Sequence, residues 1–149
     1  MRALLTASAL AGLFSACGSS GGSGGSTFDY STSSDTRLIL TVTDSSGPLR
    51  GVAVTIEDVE TYDPNSEDSA DGAGQSYFRG LTDANGQLEA VFSVPATVRS
   101  VDVVAHLPGY TGTWSNVALK DSLGPFAPTS RTTKTLASEM TVNLTMEAR

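Results

Sequence analysis

The residues of this sequence that could do chemistry are few and scattered. Cys17 is the only cysteine; it follows Phe14-Ser15-Ala16 and opens a glycine-serine tract. One thiol cannot form a disulfide within a chain, so hydrophobic burial must hold any fold. Segment 58–71 carries Asp58, Glu60, Asp63, Asn65, Glu67, Asp68 and Asp71. Calcium takes roughly 6–8 oxygen ligands, so donors are in supply. The spacing is not that of an EF-hand, because Glu67 is a long side chain at the fifth position and Asp68 stands where glycine is needed. Like charges extend a chain, so a solvated loop is the expectation; calcium stays open and no metal ligand is assigned. His106 is the only histidine. Alone, it supports neither a nucleophile–base pair nor a zinc site, and strand alternation puts it on an outer face. Tyr110 and Trp114 leave two readings open. Exposed, they could stack on a sugar or anchor a partner; buried, Trp114 caps the end of a core. Segment 120–138, with Lys120, Leu123, Phe126, Arg131 and Lys134, reads as a long loop whose basic residues could lie against the acidic one. No set of nucleophile, base and oxyanion donors emerges, so no catalytic residue, cofactor or metal is assigned.

The elements that would position these residues repeat with a period of two. Leu38, Leu40 and Val42; Val52, Val54 and Ile56; Leu88, Ala90, Phe92 and Val94; Val101, Val103 and Ala105; and Met140, Val142, Leu144 and Met146 each alternate with mostly polar neighbours, Asp102 among them. Such alternation marks strands with one face on a core and one in water. Weaker patterns at 77–81 and 114–119 suggest two more strands, and no segment after the leader has a useful helical period. Asp44 to Pro48 and Thr82-Asp83-Ala84-Asn85-Gly86 carry turn residues, and each is expected to join an antiparallel pair. The prediction is an all-β fold, an antiparallel β-sandwich of about seven strands over residues 37–149.

Before that domain, residues 1–16 read as an export leader: Arg2, an apolar run from Ala3 to Leu13, then small residues. The run is too short for a bilayer span, which needs about 20 apolar residues. Residues 17–36 read as a disordered Gly/Ser linker, with Phe28 and Tyr30 expected to rest on the domain. A linker of that length and composition spans about 25 Å on average. The formal net charge is −7, and losing Arg2 with the leader makes the mature chain more negative. That excludes nucleic acid as a partner, since phosphates require a basic face, and it opposes an electrostatic hold on anionic lipid.

Phe14-Ser15-Ala16-Cys17 resembles the lipobox of bacterial lipoproteins, with Phe14 where leucine is commonest. The resemblance implies cleavage before Cys17, a diacylglyceryl thioether on its sulfur and acylation of the new amino group. Membrane contact would then run through a lipid anchor, in keeping with the need for more than one acyl chain. Gly18, in place of Asp, implies the outer membrane. Val42-Thr43-Asp44, Gly47-Pro48-Leu49-Arg50-Gly51-Val52-Ala53-Val54, Thr82-Asp83-Ala84-Asn85-Gly86 and Pro108-Gly109-Tyr110 resemble the carboxypeptidase regulatory-like domain, a transthyretin-like sandwich. Bacterial immunoglobulin-like domains share the "T-D-x-N-G" turn. Neither resemblance brings catalytic residues. The expected protein is a non-enzymatic lipoprotein of the bacterial cell envelope with a protein or glycan partner. Tyr110 and Trp114 are the candidate contacts. A docking lipoprotein of a secretion machine, or a small hydrolase, are the rival readings.

Overall fold

A computed structural model describes residues 34–59 and 75–149. The expected leader, Cys17, the tract up to residue 33 and residues 60–74 of the acidic region lie outside the described residues. In chain order the described elements are β1 (Ser34–Asp44), β2 (Gly47–Pro48), β3 (Ala53–Asp58), β4 (Ser76–Leu81), β5 (Gln87–Val94), β6 (Ser100–His106), β7 (Tyr110–Gly112), α1 (Val117–Leu123), a 3-10 turn over Gly124–Phe126, β8 (Ser130–Thr135) and β9 (Glu139–Ala148). Among the described residues no helix is long and apolar enough to cross a membrane.

Alternation works as elementary sheet geometry requires. Leu38, Leu40 and Val42 of β1 are fully buried, while Val54 and Ile56 of β3, Ala90, Phe92 and Val94 of β5, and Met140, Val142, Leu144 and Met146 of β9 fill the same core. Fully burying each such side chain is worth about 1.5–3 kcal/mol, and two apolar faces can be satisfied together only by stacking. Two sheets result. In one, β1 lies between β9 and β5, with β2 at the far end of β1 and β7 outside β9. The other runs β4-β3-β6-β8. The all-β sandwich is as expected from the sequence.

Four features differ from expectation. First, β1 begins at Ser34, ahead of the expected boundary at Arg37, and Thr36 is already buried. Second, the turn at 44–48 closes only the short antiparallel pair of β1 with β2, and the strand that follows, β3, lies in the other sheet; the turn at 82–86 likewise joins β4 and β5 of different sheets. Turn residues fix a local reversal, not the partner of the strand that follows. Third, β1 and β9 pair in parallel, with Leu38 opposite Met140 and Val42 opposite Leu144; among the described residues every other strand pair is antiparallel. Fourth, segment 114–119 is not a strand and 120–138 is not a loop. Trp114 makes one isolated bridge to Arg131, α1 follows, and 130–135 forms the edge strand β8. The sequence of β8, Ser-Arg-Thr-Thr-Lys-Thr, has no apolar alternation to read.

The excursion from β7 to β8 is closed at its base. Ser130 Oγ donates to the Thr113 carbonyl at 2.7 Å, Arg131 N–H to the same carbonyl at 3.0 Å, and Ser115 N–H to the Arg131 carbonyl at 2.9 Å. Asn116 caps α1 by accepting the Leu119 N–H at 3.1 Å, and Gly124, at φ +52°, ends it. The flanks of residues 60–74 are also tied: Asp58 N–H donates to the Gln75 carbonyl at 3.0 Å, and the Tyr77 hydroxyl donates to the Asp58 carboxylate.

Candidate functional site

A polar cleft lies at one end of the sandwich. The chain enters at Ser34 and β1 runs to Asp44, roughly 33 Å at about 3.3 Å per residue. Because β9 runs parallel to β1, Arg149 also finishes at the Asp44 end. β7 pairs with the last turn of β9, Tyr110 opposite Ala148, and the Arg149 N–H donates to the Gly109 carbonyl at 2.9 Å. The cleft at this distal end has a volume of about 180 Å³, and its side chains with polar heads include His106, Tyr110, Lys120, Thr129 and Arg149.

Each wall has a local cause. His106 is the exposed last residue of β6. Leu107 to Tyr110 then reverse direction, with Tyr110 N–H donating to the Leu107 carbonyl at 3.2 Å and Gly109 at φ +84°, a conformation that glycine adopts without strain. Thr129 braces this turn from the facing segment. Its hydroxyl accepts the Leu107 N–H at 2.8 Å and donates to the Leu107 carbonyl at 3.0 Å. Lys120 arrives on α1, and Pro125 and Pro128 stiffen the segment after it. The half-buried Tyr110 ring packs on the core and its hydroxyl reaches Asp44 Oδ2 at 3.3 Å. Asp44 is itself occupied: its Oδ1 accepts from the Ser46 hydroxyl at 2.6 Å, the Ser46 N–H at 2.7 Å and the Gly47 N–H at 3.0 Å. Those donors hold its carboxyl below the usual range, the Ser46 hydroxyl contributing most.

Chemically this cleft is basic in character. Three residues with basic side chains line it, and no Asp or Glu does. Among the described residues, His106, Lys120 and Arg149 make no side-chain hydrogen bond or ion pair. The Thr129 hydroxyl is committed to backbone, so no hydroxyl is paired with His106 as a nucleophile with its base would be. Among the described residues no three metal-ligating side chains come together. A larger hollow of about 600 Å³ lies at the opposite, chain-entry end, lined by Asp35, Val98, Arg99 and Leu136 among others. Its Asp35 and Arg99 oppose each other in sign, so it has no consistent charge.

Of the aromatic pair, Tyr110 lines the distal cleft and Trp114 does not. Trp114 is only 9% exposed and lies outside the main core cluster. His106 is on an outer face, as alternation predicts, and Lys120 joins it through α1. Arg149 was invisible as a site residue, since only the parallel pairing of β9 with β1 carries it to this end.

Asp102 departs from its expected environment. It lies on the solvent-side register of β6, yet it is 1% exposed. Arg131 Nη1 donates to Asp102 Oδ2 at 3.0 Å and Nη2 to Glu57 Oε1 at 2.6 Å, while the Thr133 hydroxyl donates to Asp102 Oδ1 at 2.6 Å. The expected meeting of segment 120–138 with the acidic segment 58–71 falls mostly on residues 60–74, outside the described residues; the acidic partners described for Arg131 are Glu57 and Asp102, across the outer face of β3, β6 and β8.

A family described as a domain of unknown function (DUF8469) matches residues 34–120. No curated protein matches the sequence. Among solved structures, the D295N mutant of the shaft pilin SpaA from Lactobacillus rhamnosus GG is similar with 15% identity and a TM-score of 0.50, over 78% of this chain and 49% of the pilin chain. The unmutated pilin gives 16% identity and 0.49, over 78% and 50%. BcpA, the major pilin subunit of Bacillus cereus, gives 14% and 0.46, over 78% and 31%. The chain thus spans about half the length of the SpaA chains it matches, and the likeness concerns the sandwich fold alone.

Proposed function

The chain belongs to the family described as a domain of unknown function (DUF8469), and from that premise we propose a non-enzymatic lipoprotein of the bacterial cell envelope, a β-sandwich binding module tethered through Cys17. The observation that carries this reading is polarity along β1: the chain enters at Ser34, and the basic cleft opens at the Asp44 end. A tether on the entry side turns that cleft away from the membrane, toward whatever it binds. The leader and the Phe14-Ser15-Ala16-Cys17 sequence supply the anchor, and Gly18 favours the outer membrane. The domain is read as carboxypeptidase regulatory-like, on Gly47 to Val54 and Thr82 to Gly86. Within it Tyr110 is the partner-facing aromatic, while Trp114 packs the base of the α1 excursion.

The test is cell fractionation with detergent phase partitioning of the full chain and its Cys17→Ser variant. The parent is expected in the detergent phase and the variant in the aqueous phase. Equal partitioning of the two overturns the lipid anchor.

A further inference from the structure

We propose that the distal cleft binds an acidic sugar residue of a glycan, with its carboxylate or sulfate against Lys120 and Arg149 and its ring against Tyr110. The inference rests on the reading of this cleft as the ligand site and goes on to name the ligand's chemistry. In a chain of net charge −7, a lining with three basic side chains and no Asp or Glu runs against the composition. Lys120 and Arg149 have no ion-pair partner among the described residues, so an incoming anion would not have to displace one. Two oxygens of one oxyanion, on a carboxylate or on a sulfate, match the guanidinium fork. Tyr110 presents a fixed aromatic body, packed on the core behind it and held through its hydroxyl by Asp44; such a ring offers contact area at little entropic cost. The cleft's volume of about 180 Å³ is below the roughly 300–1,000 Å³ of sites that enclose drug-sized ligands. It therefore suits one residue of a longer chain. Thr129 and the two prolines hold the walls before any ligand arrives, as preorganised binding requires.

The experiment follows the His106 and Tyr110 resonances by NMR on the full-length protein in detergent, titrated with glucuronate, with glucose and with a short Asp/Glu peptide. Glucuronate is expected to shift both resonances saturably, and glucose to do so at least about tenfold more weakly. Lys120→Gln and Arg149→Gln should each weaken glucuronate about tenfold, the scale of one hydrogen bond to a charged group. Phe126→Ala, exposed on the same excursion but not lining the cleft, should change nothing. Added salt should weaken the acid and not the neutral sugar. Glucose binding as well as glucuronate overturns the anion assignment. Tighter binding of the acidic peptide overturns the glycan while leaving a binding module. If no probe shifts either resonance, the cleft falls as a ligand site, and the Cys17→Ser partitioning result still stands on its own.

Discussion

At the scale of single residues, Gly86 is the position on which the local architecture turns. It sits at φ +68°, and a Cβ built there would be 2.4 Å from the Val42 carbonyl oxygen and 3.0 Å from the Leu49 nitrogen. The left-handed conformation alone costs a residue with a Cβ about 1–2 kcal/mol, and the clash is with backbone that cannot swing aside. Gly86→Ala is therefore expected to lower Tm by at least about 5 °C for a domain of this size. The neighbouring, exposed Gln87→Ala should stay within about 0.5 kcal/mol of the parent; thermal denaturation followed by circular dichroism reads both. Asp44 offers a second residue-scale prediction, in pH. Its folded-state pKa is lowered, so its contribution is present above the ordinary carboxylate value of about 3.9 and is lost as pH falls through the lower folded value. Glu89, lowered by its hydrogen bond to Arg37, acts in the same direction. Tm measured against pH should fall in that acid range, and Asp44→Asn should flatten part of the fall. If Asn leaves the profile unchanged, the Ser46 and Gly47 contacts do not hold in solution.

At the scale of elements, the strands rich in aliphatic side chains could be read directly, because β1, β3, β5 and β9 bury alternate residues as a period of two demands, and β6 does so apart from its buried Asp102. β8 could not. Its inward and outward positions are Ser, Thr, Arg and Lys, and its attachment depends on Arg131 and Thr133 meeting Asp102 on the neighbouring strand. That contact joins residues far apart in sequence, and a polar residue at Asp102 looks solvent-facing until its partner is placed. Breaking a buried ion pair by removing one partner costs about 3–5 kcal/mol. Because Arg131 keeps Glu57, Asp102→Ala is expected near the lower end, with Tm down by at least about 10 °C. Glu57→Gln, at a more exposed site, should cost less. If urea unfolding ranks the two the other way round, Asp102 is not the anchor of β8. The seven-residue helix α1 has no signature in the sequence for a simpler reason: it is two turns long with one buried residue, Leu119, too short to show a period.

At the scale of the whole molecule, two sequence motifs separated by some thirty residues prove to be one structural unit. Thr82 Oγ1 accepts the Val52 N–H at 3.0 Å and donates to the Leu49 carbonyl at 2.7 Å, while the Gly86 carbonyl accepts the Val42 N–H at 2.8 Å. The Gly47–Val54 and Thr82–Gly86 stretches thus clamp the two sheets together at the Asp44 end, which is why both signals occur in one chain. The strands and the sandwich were legible in each motif separately; the sheet order was not, because hydrogen-bonding partners across a sandwich leave no periodic trace. Of the cleft's lining only Tyr110 stood out in the sequence as a candidate contact; that His106, Lys120 and Arg149 join it depended on topology. The parallel alignment of β1 with β9 has one more outcome. The first and last strands lie side by side, pointing the same way, with Ser34 at one pole and Ala148 at the other. A load applied between the two ends of the domain acts along both strands. It strains the whole ladder from Arg37 to Thr43 at once instead of peeling its rungs singly, so the same pairing that brings Arg149 to the cleft makes the sandwich a shear joint in the direction of pull.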